Sequence, residues 1–233
     1  MKKILFIISI LNILFAQTSG NIGVETVFTG GNVKQGIFTS RGEFSYSDSI
    51  IKPVINISFA YGEENNIKKQ HDLNLKTRLV LLPYNLFALN INGLYEFNYQ
   101  RKIDIRYQFG LGSDIKIYND DVINSNTVIS VLREETKYNR TNNAYFRSFR
   151  SNLSLINTIK FDEYRINFNT RFDVNSNLEQ IKDYRWKANI IVEFALNGKY
   201  SFTTSYTGTY ENIVLPERVK LDNKYMLGFS AKI

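Results

Sequence analysis

The chain has 233 residues, 29 of them basic and 22 acidic, with a single histidine, no cysteine and 14% aromatic residues. Hydrophobic residues reach 43% while mean hydropathy stays slightly negative, which excludes a bundle of membrane-crossing helices, each needing roughly 20 consecutive apolar residues. The bases are spread through the chain with no run longer than three, which argues against a nucleic-acid groove, and the lack of cysteine rules out both a disulfide framework and a lipoprotein anchor.

In chain order, Met1-Lys2-Lys3 supplies a positive n-region and Ile4 to Phe15 an apolar core broken only by Ser9 and Asn12. Small and polar residues come next at Ala16-Gln17-Thr18-Ser19-Gly20. This reads as a secretory signal peptide over residues 1–16, leaving one exported domain over residues 17–233. Its removal takes two lysines and no acids, so 27 bases remain against 22 acids, a net +5. Thr29-Gly30-Gly31-Asn32 then reads as a hairpin turn needing positive φ.

Alternation of apolar and polar residues dominates the rest of the chain, and period two means a strand with two unlike faces. Leu73, Leu75, Leu79 and Leu81 oppose Asn74, Lys76 and Arg78. Phe87, Leu89, Ile91, Tyr95 and Phe97 oppose Asn90, Asn92, Glu96 and Asn98. Ile103 to Leu111 repeats the pattern, as do Tyr164 to Val174 and Tyr184 to Phe194. Asn126 to Tyr138 alternates poorly, and Phe146, Phe149, Leu153 and Ile156 could form a helical stripe, although Leu153, Leu155, Ile159 and Phe161 favour a strand. Leu221 to Ile233 supplies a final strand with Leu221, Tyr225, Leu227, Phe229, Ala231 and Ile233 on one face.

Short breaks near Asp48, Tyr84, Asp120, Asp162 and Gly198 fall at intervals of 36, 36, 42 and 36 residues, each interval one hairpin, with no residue pattern recurring alongside. Longer polar breaks alternate with them at Gly62 to Lys69, Tyr138 to Ala144, Asn175 to Ile181 and Glu211 to Val219. About twelve strands result, an even number with short turns at one end and longer loops at the other. That predicts an all-β, antiparallel up-and-down barrel of the transmembrane kind.

Alternation alone does not say which face points inward. Twelve strands lined with apolar residues would leave a wide unfilled interior, so the apolar face is assigned to lipid and the charged face to a lumen. The charged parity carries Arg41, Glu43, Lys76, Arg78, Glu96, Asp104, Arg106, Asp114, Arg150, Arg165, Arg171, Asp173, Arg185, Lys187 and Glu193. Cross-pairing would make these a stabilising plug; incomplete pairing would leave a narrow pore favouring anions, because nine of the fifteen are basic. Tyr46, Tyr61, Tyr84, Tyr99, Tyr164, Tyr184, Tyr200 and Tyr225 fall toward strand ends on the apolar parity, where membrane-interface girdles sit.

Little in these residues suggests catalysis, a cofactor or a metal. His71 shares parity with Leu73 and Leu75 but falls in the polar stretch Lys68-Lys69-Gln70-His71-Asp72, read as a solvated loop, and no nucleophile motif accompanies it. Gly110-Leu111-Gly112 is not followed by a helix, so it is no phosphate loop and instead permits close packing within a strand.

Thr29-Gly30-Gly31-Asn32, Tyr99-Gln100 through Arg106, and Gly110-Leu111-Gly112 together resemble the salt-induced outer-membrane protein family of Gram-negative bacteria, whose function is unknown. The resemblance covers nearly all the exported chain, with the extra Gly31 and the terminal Ile233 as departures. It implies an outer-membrane barrel with no established activity. The expectation is therefore a porin-like barrel of the cell outer membrane, either a structural envelope protein or a narrow solute pore. Its partners would be outer-membrane lipid, the barrel-insertion machinery and small solutes. A lipid-modifying enzyme on the barrel wall and a soluble periplasmic ligand-binding barrel are the alternatives.

Overall fold

The computed structural model describes residues 18–29, 35–64, 67–99, 101–138, 145–213 and 220–232. The expected signal peptide, the Gly30-Gly31-Asn32 turn, the 139–144 and 214–219 breaks and Ile233 lie outside them. Twelve antiparallel strands make one closed barrel. They are β1 Thr18–Thr29, β2 Gln35–Tyr46, β3 Ile51–Glu64, β4 Ile67–Leu81, β5 Phe87–Asn98 and β6 Ile103–Asn119. The second half holds β7 Ile123–Tyr138, β8 Tyr145–Phe161, β9 Ile166–Asn177, β10 Tyr184–Ala195, β11 Tyr200–Glu211 and β12 Leu221–Lys232. Each strand pairs with its sequence neighbours, and β1 closes the ring on β12 through Asn21–Thr26 against Lys232–Leu227. The twelve-strand antiparallel architecture read from the sequence is the one observed.

Register puts the two parities on opposite faces all round the ring. On the outside, Ile91, Leu111 and Val131 pair in turn across β5, β6 and β7, with Phe109 and Ile129 beside them. On the inside, Glu96, Arg106 and Thr136 line up across the same three strands. The short turns lie at the end that carries both described termini; we call it the termini end, and its opposite the far end.

Two short turns share a capping device. The Asp48 carboxylate accepts from the backbone N–H of Ile50 and Ile51 at 2.7 and 2.8 Å, and Asp120 does the same for Val122 and Ile123 at 2.8 and 2.5 Å. In each, a tyrosine two residues earlier donates its hydroxyl to the same carboxylate, Tyr46 to Asp48 and Tyr118 to Asp120. A Tyr-x-Asp-x-(Ile/Val)-Ile pattern is thus shared by two of the turns, at Tyr46–Ile51 and Tyr118–Ile123, though not by the turn near Tyr84 that lies between them. Asn197 caps the β10–β11 turn likewise through the N–H of Lys199 and Tyr200. Such side chains replace the orphaned ladder bonds of a turn.

Tight approach of β6 to β7 depends on two glycines. A Cβ on Gly110 would stand 2.0 Å from the Val131 carbonyl oxygen and 2.8 Å from the Leu132 Cα; one on Gly112 would stand 2.3 Å from the Ile129 oxygen. These are backbone atoms, so no rotamer change relieves the overlap.

Three local expectations need correction. The break at Gly62 to Lys69 is mostly strand: β3 continues through Glu64 and β4 starts at Ile67, with a register shift between Gly62 and Glu63. Polar residues continue a strand there because ladder hydrogen bonds do not require an apolar face. The strand read from Tyr164 starts instead at Ile166, since Asp162–Tyr164 forms a 3-10 turn and Arg165 has φ 53°, a left-handed conformation that cannot extend a strand. The poorly alternating Asn126–Tyr138 is part of β7, one of the longest strands, with Val128 and Leu132 inward and Ile129 and Val131 outward.

Gly110→Ala should lower stability by about 1–3 kcal/mol through overpacking, read as a lower thermal midpoint in detergent; an unchanged midpoint would mean the β6–β7 spacing yields freely. Backbone donors, those of Ile51 and Ile123 foremost, hold the Asp48 and Asp120 carboxyls below the usual carboxylate range. Their support of the turns is therefore complete above pH of about 4 and lost as pH falls through the lower folded values. An Asp48→Asn, Asp120→Asn pair should flatten the acid branch of the stability profile, and an identical acid branch would contradict this.

Candidate functional site, the charged barrel interior

Inward parity brings charges from many strands into one space, and the far-end half is crossed by an ion network. Glu134 of β7 is its hub. Its carboxylate accepts from Arg185 of β10, lies 3.3 Å from Arg150 Nε of β8 and 3.8 Å from Arg106 Nε of β6. Gln108 and Thr136 also donate to it, at 2.5 and 3.2 Å. Arg106 in turn reaches Glu96 of β5 at 3.0 Å and Glu211 of β11 at 3.7 Å. Arg101, in the β5–β6 turn, bridges Glu211 at 2.8 Å and Asp222 of β12 at 3.2 Å. Arg150 is also paired with Asp183, and Lys224 of β12 stands 3.7 Å from Asp72 of β4.

Strands β7 and β10, or β6 and β11, are not neighbours in the ring, so these contacts cross the interior. Glu134 and Arg106 side chains are only 5% exposed. Burying charge is costly, and such a cluster persists only because each member meets opposite charge and hydrogen-bond partners.

Toward the middle and the termini end the interior loosens. Arg78 of β4 pairs with Asp114 of β6 at 3.3 Å, an acid also held by Asn90. Arg171 pairs with Asp173 on its own strand at 2.9 Å, and Ser154 donates to that carboxylate at 2.5 Å. Arg41 of β2 donates to Ser205 of β11 at 3.4 Å. The Arg171 side chain remains 37% exposed, and Glu43 is exposed.

Thirteen of the fifteen charges singled out from sequence therefore stand on the inward parity: Arg41, Glu43, Lys76, Arg78, Glu96, Arg106, Asp114, Arg150, Arg171, Asp173, Arg185, Lys187 and Glu193. Two do not. Asp104 is the extra residue of a bulge between Ile103 and Ile105, and its carboxylate meets Lys137 of the outward parity at 3.5 Å. Arg165 is exposed in the β8–β9 turn. Sequence reasoning missed Asp72, Arg101, Glu134, Asp183, Glu211, Asp222 and Lys224.

On the outside, Tyr46, Tyr84, Tyr164 and Tyr200 stand beside the termini-end turns, and Tyr61, Tyr99, Tyr184 and Tyr225 toward the far end. Six of these eight residues are at least 39% exposed. His71 is not in a loop. It sits on β4 opposite Tyr61, its ring edge-on to Phe59, Tyr61 and Phe97 with centroids 5.3 to 6.2 Å away. Among the described residues no group of three or more His, Asp or Glu could hold a metal ion.

The hub sets a testable contrast. Glu134→Ala leaves Arg106, Arg150 and Arg185 facing one another across a buried space and should cost about 3–5 kcal/mol. Glu135→Ala, which breaks exposed outer pairs with Arg133 and Arg147, should cost less than about 1 kcal/mol. Urea unfolding of the two detergent-folded variants separates them, and equal losses would deny Glu134 its role.

Comparison with known proteins bears on the barrel fold. The NanC porin structure superposes with a TM-score of 0.57 at 11% identity, over 92% of this chain and all of that one. The KdgM porin aligns over 92% of this chain and 98% of its own with a TM-score of 0.46 at 9% identity. At such identities the first likeness concerns fold alone. No curated protein matches the chain in sequence. The family model described as a protein of unknown function, DUF481, matches residues 23–233, and the chain belongs to that family.

Proposed function

We propose that this protein is an integral β-barrel of the Gram-negative outer membrane that admits small solutes through a narrow, charge-lined interior and performs no catalysis. The observation that carries the reading is its inverted polarity. Phe87, Leu89, Phe109, Leu111, Ile129 and Val131, on three adjacent strands, are each at least half exposed, while the opposite face of those strands buries Arg106, Glu134 and Thr136. Soluble proteins rarely leave a continuous apolar patch larger than a few hundred Å² open to water. A bilayer removes that cost. Strands of 12 or more residues, rising roughly 3.3 Å per residue and tilted about 40°, span the apolar band of about 25 Å.

The remaining expectations fit this reading. Residues 1–16 serve as the export signal, β12 with its apolar face of Leu221, Tyr225, Leu227 and Phe229 as the element read by the insertion machinery, and the two levels of tyrosines as interface girdles. The far-end network is the constriction, with the looser termini-end interior behind it. A second reading is favoured by the same network: cross-barrel pairing stiffens the wall, and the protein is a structural element of the envelope. His71 is packed edge-on among Phe59, Tyr61 and Phe97, and the Tyr61 hydroxyl donates to Glu63, a setting that fits packing on the wall better than a wall enzyme.

Carbonate-washed outer membranes should retain the protein, and its band should shift on heating; release into the soluble fraction would remove the membrane reading. In planar bilayers the purified barrel should conduct, and Arg185→Ser, which opens the link from β10 to Glu134, should raise single-channel conductance. Silence at every voltage for both proteins would leave the structural reading in place of the pore.

A further inference from the structure

Most inward charges have an opposite charge in contact, and two half-buried lysines are among those that do not. Lys76 lies on β4 and Lys187 on β10, strands six places apart in a ring of twelve and so on opposed walls. Both are on the inward parity, opposite Asn56 and Asp173 respectively in register. Neither ammonium has a hydrogen bond or ion pair among the described residues, although Lys187 feels the charge of Lys76 and both feel those of Asp173 and Glu96. The nearby acids are already committed: Asp173 to Arg171 and Ser154, Glu96 to Arg106, and Asp114 to Arg78 and Asn90.

We infer that Lys76 and Lys187 form a binding site for an oxyanion, a carboxylate or phosphate group carried by a small solute, held between opposed walls just inside the far-end constriction. Each ammonium offers three donors and accepts none. With the local carboxylates engaged, an anion between the two walls supplies the acceptors that the protein does not. Arg78 and Arg171, neutralised by their own acids yet partly exposed at 25% and 37%, add positive potential at the rim of the site. An anion there relieves the repulsion between two like charges, and inside the barrel electrostatic attraction is stronger than in bulk solvent. Lysine suits this task because its flexible stem lets a point charge follow a moving solute, where a guanidinium fork would fix it.

The site deepens the pore reading, since it gives the passage a preferred cargo class, but binding itself does not require conduction. The test uses full-length barrel folded in detergent, titrated calorimetrically with glutarate and, separately, with inorganic phosphate at low ionic strength. Saturable binding of at least one is expected, and which one binds tells carboxylate from phosphoryl cargo. The K76Q/K187Q pair should bind about tenfold more weakly or worse, because two charge-assisted contacts are lost. The charge-keeping K76R/K187R pair should retain binding. K160Q, the same change near the β8–β9 turn, should leave it untouched. If the double glutamine variant does not fold, the single K76Q and K187Q variants carry the test, each expected to weaken binding.

No saturable binding of either anion, or equal affinity in the glutamine variants, would overturn the site. Reversal potentials across a salt gradient then separate the two claims. A barrel that conducts with an anion preference indifferent to both substitutions counts against the site alone, whereas anion binding lost in K76Q/K187Q by a barrel that never conducts counts against the pore alone.

Discussion

One buried carboxylate organises the interior. Glu134 is met by arginines from β6, β8 and β10, and without it three guanidinium groups would share a space from which water is largely excluded. Strand pairing alone specifies only neighbours in the ring. The Glu134 cluster and its extension through Arg101 and Glu211 specify what faces what across the ring. The barrel thus gains a second set of constraints, perpendicular to its hydrogen-bond ladders, and these keep its cross-section from flattening.

The same constraint explains why the interior is uneven. Arginine, with its planar fork, suits the saturated far-end network, where each group must satisfy several acceptors at fixed geometry. Lower down, pairs are local: Arg171 with Asp173 on one strand, Arg78 with Asp114 across two neighbouring hairpins. Such pairs ask less of the opposite wall, and the Arg171 side chain stays 37% exposed. Lys76 and Lys187 stand at that transition. Outside, the wall is chiefly apolar, with exposed ion pairs such as Glu135 with Arg133 and Arg147.

Much of this was legible in the sequence because one rule, period two, controls both faces of every strand. Leu73 to Leu81 and Ile105 to Leu111 declared their faces, although Ile103, read with the outer apolar set, turns inward across the bulge and is 1% exposed; the spacing of Asp48, Tyr84, Asp120, Asp162 and Gly198 yielded the strand count. The hub itself was hidden. Glu134 and Glu135 are adjacent acids in a strand with apolar residues on both faces, so parity could not say which of them points inward. Asp72 and Glu211 fell in stretches that read as loops because their neighbours are polar, yet polar residues continue strands beyond the apolar band; Arg101 sits in the β5–β6 turn, where parity says nothing of a side chain's direction. Asp104 and Arg165 failed for the opposite reason. A bulge and a left-handed turn residue shift parity by one, and neither leaves a mark in hydropathy. The shared Tyr-x-Asp turn pattern was present in the letters and became meaningful only once both aspartates were seen capping the same kind of turn.

The central claim is that lipid meets one parity and water the other. Because the chain lacks cysteine, single cysteines can be introduced at Leu111 and at Arg171 and spin-labelled in the folded barrel after reconstitution into bilayers. Collision with oxygen, which concentrates in lipid, and with a water-soluble nickel chelate reports each label's surroundings. The account predicts that the Leu111→Cys label is relaxed by oxygen and the Arg171→Cys label by nickel. Nickel access at position 111 together with oxygen access at position 171 would contradict it.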